Sequence, residues 1–174
     1  MAQSHRSPFR YLVPDLHRLK ELYEYNHETG HFLLTSCRGG HPKGKVAGTL
    51  GNTGYLIIAI DGVRHPAHRL AWLYSHESWP PAYIDHINGV RNDNRLSNLR
   101  LATQSQNNAN SRIRSDNSTG HKGVVFDHRR KRFRAYIVIA GKQKHLGRFV
   151  KFADACAAYE RAAEVAFGEF ARAA

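Results

Sequence analysis

Cysteine is nearly absent: Cys37 and Cys156 are the only two, far apart and in no CxxC pair. That argues against a disulfide framework and against a structural zinc ribbon, and points to a reducing compartment. Acidic residues are scarce, 14 Asp and Glu against 26 Lys and Arg, so the formal charge is +12 and the pI is near 10.1. Such an imbalance favours a polyanionic partner, because neutralising phosphates releases condensed counterions. No apolar run is long enough to span a bilayer, and the N-terminus, Met-Ala-Gln-Ser-His-Arg-Ser-Pro, has no apolar signal-like core. No segment reads as a basic amphipathic helix with a bulky apolar face, which disfavours a membrane surface. The expectation is a soluble, cytoplasmic protein. No internal repeat is visible. What is present is 41% hydrophobic residues in 174, enough for one ordinary domain or two small ones.

Residues 1 to 11 read as a loose arm. Residues 14 to 25 read as a helix, with Pro14 in its first turn and Leu16, Leu19, Leu22 and Tyr23 as an apolar stripe. A turn from Asn26 to Gly30 and a short strand from His31 to Thr35 follow. Gly39 to Gly48 is a basic, glycine-rich loop, read first as a solvated connection and second as a phosphate contact. Residues 54 to 60 form a strand, Asp61-Gly62 a tight turn, and Val63 to Pro66 the returning strand. Ala67 to Tyr74 reads as a helix stopped by Trp79-Pro80-Pro81.

Residues 83 to 107 carry the chemistry. Asp85 and His86 close a predicted strand at residues 83 to 86, and would point to opposite sides unless pairing breaks there. Ile87 to Ser97 is a long Asn-, Asp- and Gly-rich loop, Leu99 to Ala102 a second strand, and Thr103 and Gln106 have capping-box spacing for a helix containing Asn107. Mg²⁺ or Mn²⁺ prefers oxygen ligands and keeps waters, so one carboxylate and one amide oxygen suffice beside a phosphate. A neutral His within reach of water serves as general base. Asn98 has no useful pKa, so its expected work is hydrogen bonding that holds the loop and orients His86.

This stretch resembles the HNH, or ββα-metal, nucleases of the phage and intron-encoded homing type. The matching residues are Asp85-His86, Asn98 within Asn98-Leu99-Arg100, and Asn107 within Gln106-Asn107, with His68-Arg69-Leu70-Ala71 resembling the segment that precedes the motif. The likeness covers roughly residues 14 to 110. It implies that His86 is the base, that Asp85 and Asn107 hold one divalent cation per site, and that Asn98 is the central Asn. The last position is Asn rather than His, as is typical of this branch, which disfavours zinc. His68 reads as a structural hydrogen bonder. Arg69, Arg91, Arg100, Arg112 and Arg114 are candidates for structural or phosphate contact.

From Asn108 to Gly120 apolar content collapses, as in a linker. Residues 121 to 151 then carry ten Lys or Arg and one acid, Asp127. Phe133, Ala135, Ile137 and Ile139 alternate with Arg132, Arg134, Tyr136 and Val138, a sheet with an apolar face and a basic face. Residues 152 to 166 read as a helix with Phe152, Cys156, Tyr159, Ala163 and Ala166 on one side. A sheet of this kind can enter a major groove. Residues 120 to 171 resemble the plant Apetala and ethylene-response-factor type DNA-binding domain, through Lys122-Gly123-Val124, Phe133-Arg134-Ala135, Gly141-Lys142, Leu146-Gly147-Arg148-Phe149, Ala158-Tyr159 and Phe167-Gly168-Glu169-Phe170-Ala171. The resemblance implies DNA contact by Lys122, Arg129, Arg132, Arg134, Tyr136, Lys142, His145 and Arg148. Val125, Asp127 and His145 depart from that family's usual residues, so its target does not transfer. Lys151 stands at a predicted N-cap where Ser or Thr would cap better.

The expected fold is α+β. A mixed β-hairpin and helix domain with a ββα-metal motif covers residues 1 to 110, a linker 111 to 120, and a three-stranded antiparallel sheet packed on one helix 121 to 174. The expected function is metal-dependent cutting of double-stranded DNA by a homing-type endonuclease, as a monomer or, alternatively, a dimer. A non-catalytic DNA-binding regulator with a decayed nuclease domain, and an RNA-directed nuclease or ribosome-associated protein, are the alternatives.

Overall fold

The computed structural model describes residues 13–172; the arm expected at residues 1 to 11 lies outside them. The chain divides into two compact units, Met1–Leu101 and Ala102–Ala174. The division falls before the helix that carries Asn107 rather than after it.

The first unit begins with α1 (Leu16–Leu22), shorter than the expected 14 to 25. Asp15 is the N-cap, so Pro14 precedes the helix instead of standing in its first turn, and the Asp15 carboxylate accepts from the His17 and Arg18 amides. Tyr23 then turns extended, and β1 (Tyr23–Tyr25) pairs antiparallel with β2 (Phe32–Leu34). The reason is alternation: Tyr23 and Tyr25 are buried around exposed Glu24, and each hydroxyl reaches a carbonyl, Tyr23 that of Ala59 at 2.9 Å and Tyr25 that of Asn94 at 2.7 Å. β3 (Thr49–Leu50), β4 (Leu56–Ile60) and β5 (Val63–Pro66) form an antiparallel sheet in that order. Asp61 and Gly62 both have positive φ, 47° and 83°, as the expected two-residue hairpin turn requires.

Next comes α2 (Ala67–His76), which ends at Glu77 in the left-handed region, two residues before Trp79-Pro80. Its Leu70, Ala71 and Leu73 join Leu19, Phe32, Ile58 and Ile84 in the core. β6 (Tyr83–His86) pairs with β7 (Leu99–Ala102), and a 3-10 turn over Leu96–Asn98 leads into β7.

The second unit starts with α3 (Gln104–Asn110). Its capping box is present as expected: Thr103 Oγ1 accepts from the Gln106 amide and Gln106 Oε1 from the Thr103 amide. β8 (Val124–Asp127), β9 (Arg132–Ile139) and β10 (Lys142–Phe149) make an antiparallel sheet with β9 in the centre. α4 (Phe152–Phe167) packs on it. Its buried line is Ala155, Tyr159, Ala163 and Phe167. This stripe is rotated from the expected one, leaving Cys156 and Ala166 at its margins and Phe152 exposed. Ala135, Ala155 and Ala163 are small, so the helix sits close to the sheet. Lys151 is the N-cap and makes no side-chain cap bond.

Residues 111 to 120 are folded turns. Asn117 Oδ1 accepts from the Thr119 and Gly120 amides, and Thr119 Oγ1 donates to the Val124 carbonyl at 2.8 Å. Their Asn and Thr side chains supply the bonds that apolar packing does not.

Gly30, at φ 73°, ends the β1–β2 turn against the backbone of Asn94 and Arg95; an added Cβ would overlap both. Gly30→Ala is expected to destabilise the first unit by about 2–4 kcal/mol. Trp72 and Trp79 both lie in this unit, so urea unfolding followed by tryptophan fluorescence reads it, and an unchanged midpoint would refute the close approach.

Candidate active site

Asp85 and His86 end β6 at 3% and 4% exposure. Such burial demands partners. Arg100, on neighbouring β7, donates from Nε to Asp85 Oδ2 at 2.9 Å. His86 Nε2 lies 3.3 Å from Asn94 Oδ1. Asn94 Nδ2 points to the Asn92 carbonyl, so the oxygen faces the ring. An amide oxygen only accepts, so this contact puts the proton on Nε2 and the basic lone pair on Nδ1. Asn94 is itself 1% exposed and is held through its carbonyl by Tyr25.

Asn98 closes the loop between the strands. Its Oδ1 accepts from the Asn88 amide at 3.0 Å, and its Nδ2 donates to Asn88 Oδ1 and to the Asp93 carbonyl. The Ile87 amide donates to the Asn98 carbonyl. Asp93 accepts from Asn88 Nδ2 and from two guanidinium nitrogens of Arg95, which hold its carboxyl down at about 2. Asn98 therefore has the loop-holding bonds expected of it, but the group facing His86 is Asn94. Nothing in the Asn92-Asp93-Asn94 run distinguishes that residue by sequence.

Two aromatic neighbours complete the setting. The His68 ring meets His86 edge-on at 5.1 Å, and Tyr55 lies 5.0 Å from His68 and 5.8 Å from His86. His68 Nδ1 is buried with no partner among the described residues, so His68 is not the hydrogen bonder that its helix-start position suggested. Arg91 stacks over Tyr55 at 5.2 Å and donates to the Thr53 carbonyl at 2.7 Å. Arg69 is buried under Trp79, 4.8 Å from its ring, and reaches the Pro80 carbonyl at 3.3 Å. It straps the segment that feeds β6. Asn107 lies half-buried in α3 of the second unit.

On the second unit's sheet, register places Arg132, Arg134 and Tyr136 on the face opposite Ala135 and Ile137, with Asp127 opposite Arg132 and His145 opposite Tyr136. A bulge between His145 and Gly147 brings Arg148 opposite Arg134. Without that extra residue, His145 and Arg148, three apart, would face opposite sides. Three expected contacts sit elsewhere. Lys142 pairs with Ile139 on the helix side, and Arg129 lies in the exposed β8–β9 turn. Lys122 is half-buried, donates to the Ala109 carbonyl at 2.6 Å, and is lowered by burial to about 8. It caps the end of α3 instead of facing outward. Arg112 is exposed, and exposed Arg114 pairs with Asp116 at 2.9 Å.

Residues 65–109 match the family described as HNH endonuclease. Protein 3.8 of Escherichia phage T7 is 34% identical over 90 residues, 52% of this chain and 74% of that protein. The chain belongs to the HNH endonuclease family. The HNH match runs from the end of β5 through α2, β6, the Asn98 loop and β7 into α3, so it contains Asp85, His86, Asn98 and Asn107. It stops before the three-stranded sheet. HNH nucleases typically use a divalent metal, and the Asp85 carboxylate is an oxygen donor of the kind a hard cation takes. Among the described residues no group of three or more His, Cys, Asp or Glu could hold a metal by itself. No described helix is long and apolar enough to cross a membrane.

Burial holds His65, His68 and His86 below the usual 6.5, His68 further by the neighbouring His86 and Arg69; for His86 the Asn94 bond and Asp85 oppose the shift in part. An unfolded chain protonates these imidazoles near pH 6.5, the folded one only at lower pH. Stability is therefore full above about pH 6.5 and falls as the pH drops below it. The urea midpoint of tryptophan fluorescence, measured without metal, is expected to fall between about pH 7.5 and 5.5, as the unfolded chain takes up protons that the folded chain does not. A midpoint independent of pH would contradict the neutral, buried histidines.

Proposed function

We propose that the chain is a homing-type DNA endonuclease, encoded by a phage or mobile element, that hydrolyses phosphodiester bonds in double-stranded DNA. The observation that carries this reading is the buried Asp85–His86 pair, with the His86 ring fixed through Nε2 on Asn94, inside the HNH-matching segment. His86 Nδ1 takes a proton from a water molecule. The water oxygen forms a bond to phosphorus in line as the bond to the 3′ oxygen breaks, and that oxygen leaves as a hydroxyl with a proton from solvent. The products carry a 5′-phosphate and a 3′-hydroxyl. Asp85, with Asn107 as the second oxygen donor that the motif implies, would hold one Mg²⁺ or Mn²⁺, which would supply Lewis acidity at the leaving oxygen. Only Thr103 separates β7 from α3, so the capping box sets where Asn107 emerges. Arg100 offsets the charge of Asp85, Asn98 keeps the loop closed, and His68 backs the base. Each chain has one such site, so a monomer nicks and a double-strand break takes two chains or two visits.

The second unit holds and reads the duplex. Its sheet resembles the plant Apetala type in pattern, and its open face gathers Arg132, Arg134, Tyr136, His145 and Arg148, residues suited to guanine edges and phosphates. Arg129, Arg112 and Arg114, and Lys142 on the helix side of the sheet, are exposed and serve the backbone.

Purified protein with supercoiled plasmid and Mg²⁺ or Mn²⁺ is expected to nick. His86→Ala and Asp85→Ala should each lose at least about 100-fold in rate, and Asn94→Ala about tenfold or more. Equal cutting by wild type and the first two variants would remove the assignment. Binding without cutting on any DNA would make the protein a regulator. Arg132→Ala and Arg134→Ala should each cost about 1–3 kcal/mol of site preference in EDTA while leaving metal-dependent nicking; unchanged preference would free the sheet of the reading role. Point variants are sharper than truncation at residue 116, because truncation removes α4, against which α3 packs.

A further inference from the structure

We infer that the outer face of the β3–β4–β5 sheet, walled by residues 38 to 48, is a second DNA-binding groove that grips the substrate's phosphate backbone beside the catalytic pair. This rests on the endonuclease reading and names a contact that reading does not require. The groove is a cavity of about 730 Å³. Register puts Thr49 opposite Ile57 and Arg64 opposite Ala59, while Ile58 and Ile60 face the core. Ile57 and Ala59 line the groove together with Ile58, Tyr23 and Leu34 at the edge of the core, with Arg64 and Thr49 on either side and Arg38, His41 and Lys45 along the wall.

Charge selects the occupant. No carboxylate lines the groove. Between residues 38 and 66, Arg38, Lys43, Lys45 and Arg64 face a single acid, Asp61. Asp61 is committed to Arg18 through two 2.8 Å bonds, and touches Arg38 only at 3.7 Å. Lys45 Nζ meets the His41 ring at 2.8 Å, and among the described residues no carboxylate pairs with Lys45 or Arg64. A shallow apolar floor between unneutralised cations suits a sugar-phosphate strand and suits an apolar or basic peptide poorly. Gly48, at φ 110°, keeps the wall close: a Cβ there would overlap Leu56.

Position supports the same occupant. Tyr55, whose ring meets His86, immediately precedes β4, whose Ile57 and Ala59 line the groove. At about 3.3 Å per residue the groove lies roughly 7–13 Å along β4 from Tyr55. That is a few base steps at about 3.4 Å per step, so one strand can occupy the groove while its neighbouring phosphate meets His86.

The test is the salt dependence of full-chain binding to a labelled duplex in EDTA, for wild type, Lys45→Gln/Arg64→Gln, and Lys20→Gln, whose lysine pairs with Glu77 away from the groove. The double variant should lower the slope of log K against log salt by about 1.8 and weaken binding on the order of tenfold or more, with Lys20→Gln near wild type. In the cutting assay it should raise KM and leave kcat unchanged. A double variant with wild-type slope overturns the groove and leaves the endonuclease reading standing. Wild type that binds no duplex overturns both. Binding displaced by an acidic peptide or RNA in preference to duplex DNA shows another occupant and overturns the groove as a DNA site.

Discussion

A carboxylate and an imidazole, adjacent in sequence, are both withdrawn from water at the end of β6. Neither would tolerate that position alone. Arg100 compensates Asp85 across the β6–β7 pair, and Asn94 accepts from His86 out of the intervening loop. Much of the first unit serves these two contacts. Asn98 bonds the loop shut, Tyr25 and Gly30 of the β1–β2 hairpin press on Asn94, and α2 brings His68 against the ring. Hydrogen bonds from β7 and from the β6–β7 loop offset the cost of burying the two ionisable groups, and the loop's bond also fixes the tautomer that general-base chemistry needs.

The second unit solves a different problem, presenting charge instead of burying it. Alternation along β9 separates Ala135 and Ile137 from Arg132, Arg134 and Tyr136, and alanines on α4 let the helix cover the apolar side closely. One bulge in β10 repairs the parity that would otherwise split His145 from Arg148. Lys122 is diverted from that surface to the carbonyl end of α3, so not every cation in a basic stretch faces solvent.

Residues 83 to 107 were legible because each signal is local. Strand alternation, a turn-rich loop and the Thr103–Gln106 capping box each span a few residues, and their order is that of the family motif. The same holds for the Asp61-Gly62 hairpin and the alternating strands after residue 121. Leu22-Tyr23 continues a helical stripe and so predicts a longer α1, while Tyr23–Tyr25 also alternates; pairing with β2 and carbonyl partners for both hydroxyls decide in favour of the strand.

The sequence by itself determined the chemistry available: the Asp85–His86 dipeptide, the oxygen donors, the excess of cations and the period-two strands, all set by residue type and spacing. Tertiary structure decided which of several equivalent residues does each job. Asn94 rather than a neighbouring Asn meets His86, Arg100 rather than Arg91 or Arg95 meets Asp85, and Arg38, Lys45 and Arg64, separated in the chain, line one groove. Those choices depend on contacts between residues far apart in sequence, or on one register out of several, and local pattern carries no information about either.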